Sequence, residues 1–345
     1  MRVLRLHGLR DLRMHDEPIP TPASGEALVE VKSVGVCASD VHWYNEGRIG
    51  SVVLSDPLVL GHEASGVVAE LGEGCSVLSP GDKVAIEPAK PCMSCEWCKS
   101  GHFNVCPGIP FFGTPPTDGC YREYVCWPEG LLLRMPDVLT YDETAMLEPM
   151  AVGLYAWQLA KMQRTESAAI IGAGAIGLST LQAVRANGTG RIIVSEPIPE
   201  RRHLARKLGA DYVIDPNTAD PTEAVHQLTD GRGADVVFEC AGAENAIPQA
   251  CGAARVLGRL VIVGIPDTDC YPFDAAVSRR KELTAAFVRR SNMTTEMSVE
   301  LAVKKKIDLA CYVTHRFPLE DAKQAMELMQ SKQDGVIRPV ISVHA

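Results

Sequence analysis

The 345-residue chain is read as an α/β protein: a β-rich region, then a doubly wound parallel sheet. Two changes of texture and one glycine motif carry that expectation. Up to about Met150, short apolar runs such as Ala27–Val34 and Ala64–Leu71 alternate with turn signals such as Leu71-Gly72-Glu73-Gly74 and Ser79-Pro80-Gly81-Asp82. That punctuation predicts an antiparallel barrel or sandwich. Tyr141–Lys161 changes to helical spacing, with Leu147, Leu154, Trp157 and Leu159 among its apolar positions. Strand-like runs then follow at Ala168–Ile171, Arg191–Ser195, Asp211–Ile214, Asp235–Phe238 and Arg259–Val263, separated by helical segments such as Pro199–Leu208. Strands alternating with helices predict a parallel sheet. Beyond Arg290 come helical pieces and a last strand, Val336–Val343.

The bulk numbers narrow the function. A net charge of −9 argues against a nucleic-acid or anionic-membrane surface, since both call for clustered Lys and Arg. Lys304–Lys306 is the one notable basic run, expected on a solvated helix face. No apolar run approaches the ~20 residues of a membrane span, and the first residues lack a signal-peptide core. The twelve cysteines are therefore expected to be reduced, some as metal ligands, in a cytoplasmic protein.

Gly172-Ala173-Gly174-Ala175-Ile176-Gly177 has G-x-G-x-x-G spacing after a strand and at the start of a helix. This is the context of a Rossmann dinucleotide site. Gly172 makes the tight turn, Gly174 admits the pyrophosphate, and Gly177 lets helix and strand approach. The pyrophosphate rests on the helix N-terminus. Glu196, at the end of the next strand, suits the adenosine ribose hydroxyls and favours NAD over NADP; Arg201 and Arg202 weaken that preference. Separately, Cys92-x2-Cys95-x2-Cys98-x7-Cys106 lets four thiolates converge on one ion. An iron–sulfur cluster uses similar spacings, but four thiolates on zinc leave no open position, which makes a structural clamp.

Several longer stretches together resemble the zinc-dependent medium-chain dehydrogenases, and within them the sorbitol/polyol dehydrogenases. They are Cys37-Ala-Ser-Asp-Val-His42, Gly47-Arg-Ile-Gly50, Leu60-Gly-His-Glu-Ala-Ser-Gly66, Thr114-Pro-Pro-Thr-Asp-Gly119, Glu148-Pro-Met-Ala-Val-Gly153 and Thr314-His-Arg-Phe-Pro-Leu-Glu320. The resemblance implies a GroES-like catalytic domain over residues 1–150, with a structural zinc lobe at 90–107. It implies a Rossmann NAD-binding domain over 151–289 and a return to the catalytic domain over 290–345. Cys37, His62 and Glu63 would bind a catalytic zinc, with Glu148 close to the metal; which glutamate is bonded stays open. One thiolate, one imidazole and one carboxylate are ordinary zinc ligands, and three leave a position for substrate. Asp40 would orient His62.

The same resemblance implies oxidation of a secondary alcohol to a ketone, with hydride passing to NAD. The proton would leave through the Ser39 hydroxyl and a cofactor ribose hydroxyl to His42, the outer end of the relay. Cofactor contacts are expected from Gly172, Gly174, Ala175, Ile176, Gly177, Glu196, Arg201, Val263, Gly264 and Ile265. Substrate contacts are expected from Trp43, Tyr44, Phe112, Thr114, Arg289 and Arg290. The chain departs from polyol dehydrogenases where His42-Trp43-Tyr44 replaces His-Tyr-Trp and Arg289-Arg290-Ser291-Asn292 replaces Arg-Tyr-Cys-Asn. Arg290 at a pocket mouth would favour an aldonate or a cyclitol. Threonine and 2,3-butanediol are the other substrates weighed, and a catalytically idle NAD-binding protein is the alternative of another class. Family precedent implies a homo-oligomer, tetramer or dimer.

Overall fold

The computed structural model describes every residue except Thr189, Asp267, Asp269 and Ala345. In chain order its first elements are β1 (Arg2–Gly8), β2 (Asp11–Asp16), β3 (Glu26–Gly35), α1 (Ala38–Glu46), β4 (Arg48–Ile49), β5 (Val52–Val53), β6 (Leu58–Val59), β7 (Glu63–Leu71), β8 (Lys83–Ile86) and α2 (Glu96–Lys99). There follow β9 (Tyr124–Pro128), β10 (Leu132–Arg134), α3 (Tyr141–Ala145), α4 (Leu147–Ala160), β11 (Ala168–Ile171), α5 (Ala175–Asn187), β12 (Ile192–Ser195), α6 (Pro199–Lys207) and β13 (Tyr212–Ile214). The rest are α7 (Pro221–Leu228), β14 (Ala234–Glu239), α8 (Ala246–Ala253), β15 (Ala254–Ile262), α9 (Ala275–Arg280), β16 (Thr284–Phe287), α10 (Thr295–Val303), β17 (Val313–Pro318), α11 (Ala322–Ser331) and β18 (Arg338–Ser342).

The chain divides into two units, Met1–Glu148 with Leu309–Ala345, and Pro149–Asp308. The expected return to the first unit at residue 290 is therefore placed too early. Thr294 Oγ1 donates to the Ala151 carbonyl at 2.6 Å, and Asp308 and Gln182 exchange backbone–side-chain bonds of 2.6 and 3.1 Å. These bonds tie α10 and its exit to the second unit. Lys304–Lys306 lie in an exposed turn after α10 instead of on its face.

The first unit is built on a seven-stranded sheet of order β10-β8-β7-β3-β18-β17, with β9 also paired to β3. It is antiparallel as expected except for β17 and β18, which run parallel. Two parallel neighbours need a crossover, and α11 supplies it, burying Ala322, Ala325 and Met326 in the core with Val29, Val31 and Ile341. The second unit holds a six-stranded parallel sheet of order β13-β12-β11-β14-β15-β16. Helices cover such sheets on both faces, so β11, β12 and β14 are buried at every position, which is why they read as continuous apolar runs. The outermost strand, β16, is largely exposed. Among the described residues, no helix is long and apolar enough to cross a membrane.

Candidate active site

Strand pairing assembles the first constellation. Gly35, the last residue of β3, sits opposite Glu63, the first of β7. Cys37 lies two residues beyond Gly35 and begins α1 as its N-cap, while His62 precedes Glu63. A ligand atom from each of Cys37, His62 and Glu63 lies within 4.8 Å of the other two. On the other flank of β3, Val340 of β18 pairs with Gly35, so Arg338 arrives beside Val36 and donates to its carbonyl at 2.9 Å. Arg338 Nη2 stands 3.1 Å from Glu63 Oε1, with both side chains almost wholly buried. Arg338 was not anticipated from the sequence; a lone Arg before a Pro near the end of a chain carries no local signal.

Asp40 braces the ends of the elements that carry Cys37 and His62. Its Oδ2 accepts from the Cys37 backbone N–H at 2.9 Å and its Oδ1 from the Gly61 N–H at 3.2 Å. The same Oδ1 lies 3.6 Å from His62 Nδ1, which leaves Nε2 for a metal. Burial opposes a charged His62, yet Asp40 and Cys37 outweigh it and raise the imidazole well above its usual range. Those anions would hold a cation equally well. Burial raises Glu63 too, opposed first by Arg338, and raises Glu148 to about 7. A pocket this rich in anions, with a completely buried carboxylate accepting no hydrogen bond, fits a divalent ion. Room for that carboxylate depends on Gly35, since a Cβ there would stand 2.2 Å from Glu63 Oε2.

Ser39 and His42 are partly exposed on α1, and their i,i+3 spacing puts them on one face. His42 Nδ1 is 2.9 Å from Glu46 Oε1 at its outer end. Three expected substrate residues are corrected. Trp43 and Tyr44 are 2% and 1% exposed and belong to the core of the first unit, against which α1 packs its inner side. Phe112 is core as well, its ring 3.9 Å from that of Trp127; the preceding Phe111 is the ring beside His62, at 5.3 Å. Thr114 is partly exposed in the following turn, while Arg289 and Arg290 follow β16 in the second unit.

The four cysteines of the lobe also converge, with their sulfur atoms within 4.8 Å of one another. Cys95 caps α2, its Sγ accepting from the Cys98 N–H. Hydrogen bonds, first from Ser94, lower Cys92 to about 5, whereas burial raises Cys98 to about 12. One dication relieves both tendencies by replacing the shared protons. In the second unit, Gly174 is the N-cap of α5 and has no side chain to cap it. The helix N–H groups are thus available to a phosphate. Gly177 is obligatory because a Cβ would meet the Gly172 carbonyl at 1.9 Å. Glu196 Oε2 accepts from the Ala173 N–H at 2.6 Å, which sets the acidic residue at the edge of this loop. Arg201 is 7% exposed, with Nη1 3.7 Å from where a Gly174 side chain would begin. Arg202 is committed elsewhere, to Asp215 at 2.9 Å and to the Glu196 carbonyl at 2.9 Å. Val263 and Gly264 leave β15 with their N–H groups on the Glu239 carbonyl, at 2.8 and 3.0 Å, and Ile265 follows.

Comparison with known proteins shows the family. The family model described as alcohol dehydrogenase GroES-like domain matches residues 23–137, and that described as zinc-binding dehydrogenase matches 175–304. Sorbitol dehydrogenase of Bacillus subtilis is 35% identical over 95% of this chain and 93% of its own length. Two solved structures cover nearly the whole chain. An oxidoreductase/dehydrogenase of unknown specificity from Escherichia coli superposes with a TM-score of 0.95 at 32% identity, covering 100% of this chain and 99% of the other. The 2R,3R-butanediol dehydrogenase of Bacillus subtilis does so with 0.90 at 29%, covering 99% of each. On these two family models and this relative, the chain belongs to the zinc-dependent medium-chain alcohol dehydrogenase family.

Proposed function

We propose that this oxidoreductase oxidises a secondary hydroxyl of a polyol or sugar-like molecule to a ketone, reversibly and with NAD. The observation that carries the reading is the converging set of Cys37, His62 and Glu63, the last two buried, three ligands that would leave a tetrahedral ion one open position. When bound there, zinc supplies Lewis acidity toward the alcohol oxygen, and the dinucleotide accepts the hydride. The chain's own groups do the rest. Asp40 holds His62 in register, Arg338 balances Glu63, and Ser39 takes the hydroxyl proton. His42 passes that proton to solvent with Glu46 beside it. NAD over NADP is supported by the carboxylate of Glu196 at the edge of the glycine loop and by the pairing of Arg202 with Asp215.

The polyol class rests on the sorbitol dehydrogenase relative. The butanediol dehydrogenase neighbour supports 2,3-butanediol as the second reading. The test is initial-rate formation of reduced nicotinamide on sorbitol, xylitol, a cyclitol, an aldonate, threonine and 2,3-butanediol, each with NAD and with NADP. The highest kcat/KM on a polyol with NAD, abolished by a chelator, is expected. Preference for butanediol or for NADP would replace the corresponding half of the reading. A homo-oligomer completes the proposal, supported by the open β16 edge where Phe287 is 55% exposed; a monomer by light scattering would exclude it.

A further inference from the structure

The order of the parallel sheet reverses between β11 and β14, since the chain runs outward from β11 to β13 and then outward again from β14 to β16. Ligands of such sheets bind outside the carboxyl ends of the strands at this reversal. Glu239 is the last residue of β14 and is 0% exposed. Its Oε1 accepts from the N–H groups of Ala241 and Gly242, both at 2.7 Å. Its main-chain oxygen accepts from Val263 and Gly264. Its second carboxylate oxygen is pressed against Gly264, where any side chain would begin 2.5 Å away. From the opposite side, Tyr271 Oη donates to the Gly264 carbonyl at 3.0 Å. Gly264 is thus held at its nitrogen and its oxygen, and Glu239 leaves no room for a side chain on it.

The turn that Glu239 holds on its own strand also touches both neighbours. Ala241 packs on Gly172, where an added Cβ would meet it at 3.0 Å, and Gly242 lies against the Ile265 carbonyl. Glu239 therefore links the three turns after β11, β14 and β15, with its carboxylate bonding Ala241 and Gly242 and packing on Gly264 while its main-chain oxygen bonds Val263 and Gly264. A backbone N–H or carbonyl recognises a ligand only if it is already aimed, because ordering a loose turn during binding subtracts from affinity.

We propose that Glu239, with Tyr271 as its outer support, is a positioning residue for the dinucleotide: it holds the turns Ala241–Gly242 and Val263–Ile265 in their binding geometry without touching the ligand. This rests on the NAD reading above. Burial raises the Glu239 carboxyl above its ordinary value, and an amide of the same shape is the conservative substitute for it. Gln keeps an oxygen for the two N–H groups; Ala removes it and frees both.

The test uses the zinc-loaded enzyme and NADH fluorescence. Native protein should bind NADH; if it binds no dinucleotide, the NAD reading fails and not this inference. Glu239→Ala is expected to weaken NADH by about tenfold or more, the scale of losing two hydrogen bonds to one acceptor. Turnover at saturating NAD and KM for the alcohol should stay near native. Glu239→Gln should restore binding, and Tyr271→Phe should weaken it by about threefold, the scale of one neutral bond. Hydrogen exchange without dinucleotide should quicken at residues 241–243 and 263–265 in the Ala variant. Native NADH affinity in Glu239→Ala, or a loss that Gln does not repair, overturns the proposal. Should the Ala variant fail to fold, Tyr271→Phe decides, since it removes one hydroxyl from a half-exposed ring; unchanged affinity there also overturns it.

Discussion

A missing methyl group is as much a part of the metal site as the ligands are. Gly35→Ala would drive a carbon to 2.2 Å from Glu63 Oε2 and 2.8 Å from Met146 Cε. Glu63 must move, so the expected result is loss of one zinc equivalent and at least tenfold lower activity, about the cost of a disturbed metal shell. Metal analysis and far-UV circular dichroism together check it: retained zinc would refute the steric argument. Ser39→Ala tests the proton path instead. Turnover should fall by about 10²-fold, the scale of a lost general base, with zinc content unchanged; an unaltered rate would remove Ser39 from the path. The four cysteines were legible in the sequence because their spacing is local; Cys37, His62 and Glu63 were named only because the stretches that hold them resemble the family's. Gly35, Arg338 and Phe111 were not. Gly35 resembles any glycine ending a strand, Arg338 reaches Glu63 only through the pairing of β18 with β3, and in the adjacent pair Phe111-Phe112 no periodicity tells which ring faces the metal.

The helix α1 shows the same limit. It spans only Ala38–Glu46, too short for apolar spacing to announce its phase, and Trp43 and Tyr44 were assigned to a substrate wall when they are its packed side. The strands of the second unit were easier, because burial on both faces leaves uninterrupted apolar runs. Their ends are secured by ion pairs that the runs do not reveal. Asp235 on β14 accepts from Ser167 ahead of β11 at 2.9 Å and from Arg255 on β15 at 2.6 Å, with Arg232 alongside. Burial disfavours this charge, but Arg232, Ser167 and Arg255 overcome it and depress the carboxyl well below its ordinary 3.8. A depressed carboxyl contributes stability above its unfolded pKa and loses it as the pH falls toward the folded one. Asp235→Asn should therefore cost ~2–3 kcal/mol at neutral pH. The gap from native should close as the pH drops below 3.8. Denaturant melts at several pH values measure it, and a gap independent of pH would reject the ion-pair account.

The two zinc sites should part company under chelation. The triad is open to a fourth ligand and the cysteine lobe is closed. Activity should vanish first with little change in Tm, and Tm should drop only when the second equivalent leaves. Cys95→Ser should lose that second equivalent and a large part of the stability; native zinc content and Tm in this variant would show the lobe to be no clamp. That the chain has two units was legible from its change of texture. Where it returns to the first was not: α10 is as helical as any neighbour, and it is assigned by bonds of the residues that flank it, Thr294 to Ala151 and Asp308 to Gln182.

That return has a consequence in time. Synthesis proceeds from the N-terminus, so residues up to 148 emerge while β18, the strand that belongs between β3 and β17, is still untranslated. The second unit is contiguous and can condense on the ribosome as soon as it clears the exit. The first unit must wait with a gap beside β3 and with Glu63 lacking its arginine. The cysteine lobe needs only residues 92–106 and can take its ion early. Arg338 is translated only after the whole second unit, so the arginine that balances Glu63 reaches the metal site long after Cys37, His62 and Glu63 have been made.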